Sequence, residues 1–324
     1  MATVVHYLKP PNDLAPLRTA LRSDIRLSSS AEGPIPPETE ILIAGRPRAA
    51  DLRACPALRA VVVPWSGIPE ETGLLLQEHP HLSLHNLHHN AAPVAELALA
   101  LLLAASKHLT ALDKALRADD WRPRYQPSRA LLLQGQTALV LGYGAIGRRV
   151  AALCRSLGMT VLAIRRRPDE VDQGPANEVH ATEQLASLLP RAKALIVTLP
   201  LTPRTSGLIG AAELAALPRN AVLVNVGRAA IIDEEALYEA LASGRLLGAG
   251  LDVWYRYPRE EAERASTPPA NFPFSQLDNV VFSPHRAGTT VETESLRLAH
   301  LAQLLNAAAS GASLPNRVDL QAGY

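Results

Sequence analysis

Short apolar runs recur along this chain, separated by segments with helical spacing or turn residues. In the first third they fall at 4–8, 40–44, 58–63 and 82–84, and later at 137–141, 159–164, 194–199, 221–226, 247–253 and 280–283. Such runs read as buried strands. Between them, 13–22 reads as a helix with Leu14, Leu17 and Leu21 on one face. A second helix carries Ile146, Val150, Leu153 and Leu157, and Gly158 is placed to end it. Further helices are expected at 208–217, at 234–242 behind an Asp233 cap and before Gly244, and at roughly 291–310. Residues 93–117 read as one long helix with Pro93 in its first turn. Its 97–105 portion is apolar nearly all round, as in a helix buried between two domains. The alternation predicts an α/β protein of open, doubly wound parallel sheets, with ligands beyond the C-terminal ends of the strands.

One stretch organises the chain. The run 137–141 passes directly into Gly142-Tyr143-Gly144-Ala145-Ile146-Gly147, which opens a helix, and the run 159–164 follows. This is a dinucleotide-binding fingerprint in its required setting. The first glycine permits the turn, the second lets backbone approach a pyrophosphate, and the third lets helix pack on strand. The helix N-terminus then offers free N–H groups and partial positive charge to the phosphates. An acidic residue usually ends the second strand and binds the ribose 2′-hydroxyl. Here Arg165, Arg166 and Arg167 stand there, Arg165 lying 18 residues beyond Gly147. A guanidinium pairs with a 2′-phosphate, so Arg165 and Arg166 point to NADP, with NAD as the alternative; the plain reading is a solvated basic turn.

At 324 residues the chain suggests two domains. Its net charge of +1 gives no sign of a nucleic-acid surface. The most apolar stretch, 97–105, is too short for a bilayer, which takes about 20 residues, so no membrane partner is expected. Two cysteines, Cys55 and Cys154, make neither a disulfide framework nor a metal motif, and no signal-peptide pattern opens the sequence. A reducing, cytoplasmic setting is therefore expected. The loop region holding His79, His81, His85, His88 and His89 has no acid or cysteine at ligand spacing, so a polar loop is expected and no metal.

Three strand ends after the glycine loop carry residues that are costly to bury: Arg228, Asp252 and His285. An arginine holds a carboxylate bidentately, and a histidine passes a proton near neutral pH. With a hydride carrier these suffice to interconvert a 2-oxo acid and a 2-hydroxy acid. Arg228 as a structural ion-pair partner and His285 as an ordinary surface histidine are the plain alternatives.

The motifs LGYGAIGRRVA (141–151), TLPLTPRTSGLIG (198–210), VNVGRAAIIDEEAL (224–237), GAGLDVW (248–254) and DNVVFSPHRAG (278–288) occur in an order that resembles the D-isomer-specific 2-hydroxyacid dehydrogenases, which include glyoxylate/hydroxypyruvate reductases. The resemblance covers nearly the whole chain. It implies a Rossmann cofactor domain (93–288) inserted in a flavodoxin-like substrate domain (1–92 and 289–324), an active site between them, and a homodimer. It gives Arg228 the substrate carboxylate and carbonyl, His285 the acid/base role, and Asp252 the nicotinamide carboxamide. Leu199 and Pro200 would flank the cofactor, with Thr205, Val226 and Gly227 from the same motifs beside it. Trp65, Ser66, Gly67 and Ile68 match the substrate loop, whose backbone N–H groups hold the carboxylate. The implied reaction joins a small 2-oxo acid and its D-2-hydroxy acid; a different small oxyacid, or a dinucleotide-binding regulator without turnover, are the alternatives.

One departure bears on the chemistry. The family places a glutamate five residues after the aspartate, where it bonds the histidine and keeps it protonated. Tyr257 stands there, and a phenol raises a histidine pKa less than a carboxylate does. Tyr257 as partner, Tyr257 packed among Trp254, Tyr255 and Pro258, and Glu260 or Glu261 swinging in all stay open. Ala229, where the family prefers glycine, is a mild change.

Overall fold

Every apolar run read as a strand forms one, because parallel strands covered on both faces need continuous hydrophobic sequence. The computed structural model describes residues 2–168 and 174–323. It divides into two units, Met1–Asn90 with Thr289–Tyr324, and Ala91–Gly288.

The first unit begins β1 (Thr3–Tyr7), α1 (Ala15–Ala20), β2 (Ile25–Ser29), β3 (Ile41–Ile43), α2 (Ala49–Arg53), β4 (Ala60–Val62), α3 (Glu70–Gln77) and β5 (Ser83–His85). Its strands pair in parallel in the order β2-β1-β3-β4-β5. Sequence reading did not find β2. It is an edge strand with polar Arg26, Ser28 and Ser29, and only Ser29 is fully buried, so no apolar run marks it.

The second unit runs α4 (Ala91–Lys107), α5 (Leu109–Arg117), β6 (Thr137–Leu141), α6 (Ala145–Ser156), β7 (Thr160–Ile164), β8 (Glu178–His180), α7 (Leu185–Leu188), β9 (Ala194–Val197), α8 (Ala211–Ala216), β10 (Ala221–Asn225), α9 (Glu234–Ala242), β11 (Leu246–Leu251) and β12 (Val280–Phe282). These strands form a parallel sheet in the order β12-β11-β10-β9-β6-β7-β8. Leu139 and Leu141 of β6 enter the core on one face, and Ala138 and Val140 the core on the other. The chain then returns to the first unit as α10 (Thr293–Ala309), whose Leu298, Leu301 and Leu305 pack with Val5, Ile41 and Val62.

The single helix expected over 93–117 is two. His108 takes a left-handed conformation, φ 53°, and α4 and α5 meet at 67°. Histidine tolerates this region better than most residues. The break is held by Leu131 N–H donating to the Ser106 carbonyl and Lys107 Nζ donating to the Leu131 carbonyl. The apolar α4 is buried within the second unit, against α6, β10 and β11. By contrast α5 buries no residue. Among the described residues no single helix is long and apolar enough to cross a membrane.

The chain leaves β6 for β7 on one side and reaches β9 on the other, so the winding reverses between β6 and β9. Crevices at such switch points are where open α/β sheets bind ligands.

Candidate active site

The glycine fingerprint sits at that switch point. Gly142 has φ 100°, and a Cβ there would stand 3.0 Å from Leu199 N, so only glycine fits. A Cβ at Gly147 would collide with the Gly142 carbonyl oxygen. Thr198 Oγ1 donates to that same oxygen at 2.6 Å, tying the end of β9 to the turn. Gly144 differs: a Cβ there would meet nothing within 4 Å among the described residues. Its bare backbone stands at the start of α6, where the N–H groups of Ala145 and Ile146 have no partner among the described residues. A pyrophosphate fits such a cradle. The Tyr143 side chain is buried, its hydroxyl accepting from Ala176 N–H at 2.8 Å and its ring lying under the Arg148 guanidinium; only its backbone belongs to the turn. Ile146 packs on the core. Beyond β7, Arg165 is half-buried, with its N–H donating to the His180 carbonyl, and Arg166 is exposed.

The turns after β9 and β10 close against each other. A Cβ at Gly227 would stand 2.6 Å from the Leu199 carbonyl oxygen. Leu199 is thus the common neighbour of the fingerprint and of the turn that carries Arg228. Thr205 accepts from Thr202 N–H and donates to the Pro200 carbonyl, stapling the turn behind Leu199 and Pro200. Val226 is buried, its N–H on the Val197 carbonyl. Asn225, which sequence reading missed, shapes the arginine turn: its Oδ1 accepts from Gly227 N–H and its Nδ2 donates to the Arg228 carbonyl, each at 3.0 Å. Arg228 is exposed, with Nη1 donating to the Gly227 carbonyl.

Asp252, 1% exposed, organises the histidine turn. Its carboxylate accepts from Ser283 Oγ, from Arg286 N–H at 2.8 Å and from Ala287 N–H at 3.0 Å. Those bonds bracket His285, which is held at φ 58°. Trp254 ties the same strands, stacking on Phe282 and donating from Nε1 to the Ser283 carbonyl. The Tyr257 hydroxyl lies 3.0 Å from His285 Nδ1 and 3.0 Å from Trp254 N. Tyr257 is therefore the histidine's partner. Glu261 pairs with Arg264 instead, and neither Glu260 nor Glu261 bonds His285 among the described residues.

Arg228, Trp254, Tyr255, Tyr257 and His285 line one surface depression of about 440 Å³. His285 is exposed, yet partial loss of water around its ring lowers its pKa, and Arg228 lowers it further against a smaller opposite effect of Asp252. The same loss of water raises the Tyr257 phenol, offset in part by the Trp254 N–H and Arg228.

In the first unit the loop of Trp65, Ser66, Gly67 and Ile68 follows β4. The Trp65 indole lies directly on Gly45, where any Cβ would collide with the ring. Asn86 Nδ2 donates to the Ser66 carbonyl at 2.7 Å, and Asn90 Nδ2 to Ser66 Oγ at 3.3 Å. The four backbone N–H groups of 65–68 have no partner among the described residues. Of the histidine-rich segment, His85 is pinned by the Pro315 carbonyl and Ser83 Oγ. Burial pushes His89 down to about 4, with Arg297, His300 and His88 adding to it. No group of three or more metal-ligating side chains occurs among the described residues.

A glycine cradle at a sheet switch point, with an arginine and a histidine at the neighbouring strand ends, defines an α/β dinucleotide-binding protein. Residues 99–287 match the model of the D-isomer specific 2-hydroxyacid dehydrogenase NAD binding domain. The chain belongs to the D-isomer specific 2-hydroxyacid dehydrogenase family. It is 37% identical over 232 residues to a glyoxylate reductase of Aeropyrum pernix, covering 69% of this chain and 65% of that one. It is 31% identical over 300 residues to a D-3-phosphoglycerate dehydrogenase of Mycobacterium leprae, covering 89% of this chain and 52% of that one. A D-isomer specific 2-hydroxyacid dehydrogenase of Xanthobacter autotrophicus Py2, solved with NADPH and MES, shares the fold with a TM-score of 0.79 at 24% identity over 100% of both chains. The chain spans 39% to 65% of the length of the first curated relatives it matches.

Proposed function

We propose that this protein interconverts a small 2-oxo acid and its D-2-hydroxy acid with a nicotinamide dinucleotide, NADP preferred. The observation that carries this is the presence of Arg228 and His285 on one depression, with the Leu199 backbone set against both Gly142 of the cradle and Gly227, the residue before Arg228. The bound nicotinamide would supply the hydride; the cradle at Gly142, Gly144 and Gly147 and the N–H groups of α6 would hold its pyrophosphate. Arg228 offers a fork to the substrate's carboxylate and carbonyl oxygens, which orients C2 and polarises the carbonyl. His285, aimed by the bonds that Asp252 makes to its turn, passes a proton to and from the oxygen on C2. The N–H groups of Trp65, Ser66, Gly67 and Ile68 are suited to a carboxylate and are assigned to it. The test is turnover across glyoxylate, hydroxypyruvate, phenylpyruvate and other 2-oxo acids with NADPH and NADH; activity with none of them contradicts the proposal.

The cofactor preference rests on Arg165. It ends β7 in the position of the ribose-binding acid, with Arg166 beside it. A charge-assisted contact to a 2′-phosphate is worth roughly 1.5–3 kcal/mol, about a ten- to hundredfold preference in kcat/KM. Arg165→Asp removes an attraction and adds a repulsion, so the preference should invert in favour of NADH. Equal use of both cofactors by the wild type would contradict the assignment.

We also propose a homodimer formed through α5. Leu109, Leu112 and Leu116 are 57%, 45% and 49% exposed on one helix face, and Trp121 and Tyr125 beyond it are exposed as well. A patch of this kind marks an interaction surface. Sedimentation should give a dimer for the wild type and a monomer for the Leu112→Asp, Leu116→Asp double variant. A monomeric wild type refutes the pairing.

A further inference from the structure

We infer that Tyr257 recharges His285 through Nδ1, so that the pair works as a neutral proton relay in which the phenol gives a proton where a carboxylate would take one. This rests on the proposed 2-oxo acid reduction and concerns how its proton is delivered.

The Tyr257 hydroxyl is the link between loop and ring. Among the described residues it has two partners, Trp254 N and His285 Nδ1, each at 3.0 Å. The Trp254 N–H can only donate, so the phenolic oxygen accepts from it. In the arrangement we infer, the hydroxyl proton points at Nδ1, 3.0 Å away, which presents a lone pair. Donation in the other sense, from Nδ1–H to the phenol, would turn the hydroxyl proton of the 46% exposed Tyr257 out to water and break the relay. The relay takes the first arrangement: a neutral ring with its proton on Nε2, the nitrogen that makes no hydrogen bond to the described residues. The charged and titratable groups of the second unit around the pair are Arg228 after β10 and Asp252 after β11. Arg228 opposes a second cation on the ring, and the Asp252 oxygens already accept from Ser283, Arg286 and Ala287. The lowered histidine pKa agrees with this arrangement.

The step balances. The oxygen on C2, once C2 has received hydride, takes the proton from Nε2 as the Nε2–H bond breaks. Nδ1 takes the proton from Tyr257 as the phenolic O–H bond breaks. The ring stays neutral in its other tautomer. The negative charge ends on the Tyr257 oxygen, which then accepts from both Trp254 N–H and Nδ1–H and faces Arg228. A phenolate is a weaker base than an alkoxide, so the transfer runs downhill. After product leaves, Nδ1 returns its proton to the Tyr257 oxygen and Nε2 of the exposed His285 takes one from water, which restores the starting tautomer. Each turnover thus consumes one solvent proton without an imidazolium being formed.

Two readouts test this. The first needs no cofactor or substrate: ¹⁵N NMR of the histidines at pH 7, with His285 assigned by difference against His285→Asn. It should show Nε2 protonated and Nδ1 unprotonated; a protonated Nδ1 at pH 7 overturns the relay. The second is the pH profile of 2-oxo acid reduction. Wild type should hold a level kcat from pH 6 to 9. Tyr257→Phe must rely on an imidazolium, so its kcat should fall on the order of a hundredfold over two pH units above the ring's pKa. Tyr257→Glu supplies an anion that keeps the ring charged and should be level up to neutrality and fall above it. A Tyr257→Phe profile that parallels wild type also overturns the relay. A wild type that reduces no 2-oxo acid overturns the functional reading itself, and with it the relay as catalysis, whatever tautomer the NMR reports.

Discussion

With His285 replaced by asparagine, kcat for 2-oxo acid reduction is expected to fall by on the order of 10²–10⁴, with dinucleotide affinity nearly unchanged. Asparagine suits the test because residue 285 lies at φ 58°, a region that asparagine accepts with little strain. The turn should therefore survive, since its bonds run from Asp252 to the backbone of Arg286 and Ala287 and to Ser283, and not to the imidazole. What asparagine cannot do is carry a proton between Tyr257 and the substrate oxygen. Thermal melting with and without NADPH checks fold and cofactor binding, and steady-state kinetics checks the rest. Turnover near wild type would remove His285 from the mechanism.

Arg228→Lys is expected to lower kcat/KM by about ten- to a hundredfold, with KM raised and kcat reduced together. Each charge-assisted hydrogen bond lost from the fork is worth roughly 1.5–3 kcal/mol, and an ammonium cannot reproduce the planar pair of donors. The backbone of this turn is held by Asn225 on both sides of residue 228, so the substitution should leave its path intact. Full activity in the lysine variant would mean that residue 228 supplies positive charge alone.

What the sequence made legible follows from burial. Strands covered on both faces must be continuously apolar, and the glycine turn can be made only by glycines, so β6, its turn and α6 stood out together. The edge strands β2 and β8 carry polar residues and left no such mark. The bend at His108 was hidden because α4 and α5 share helical periodicity and differ only in one residue's backbone. At the site, Arg228, Asp252 and His285 were visible as charges placed after apolar runs. The work of Asp252 on the histidine turn was not, since carboxylate-to-backbone bonds have no sequence pattern. Nor was the choice of Tyr257 over Glu260 and Glu261, which depends on how the loop after β11 folds back so that one hydroxyl meets both Trp254 N–H and His285.

The reaction proposed for this protein is hydride transfer to C2 of a 2-oxo acid, with the proton placed on its oxygen by His285. Reduction of the best substrate from the 2-oxo acid panel with NADPH deuterated at nicotinamide C4, followed by chiral chromatography and mass spectrometry, tests it most directly. A single D-2-hydroxy acid enantiomer with deuterium at C2 is expected when the transferred face carries the label. An L or racemic product, deuterium at no face of the cofactor reaching C2, or no consumption of any 2-oxo acid would contradict it.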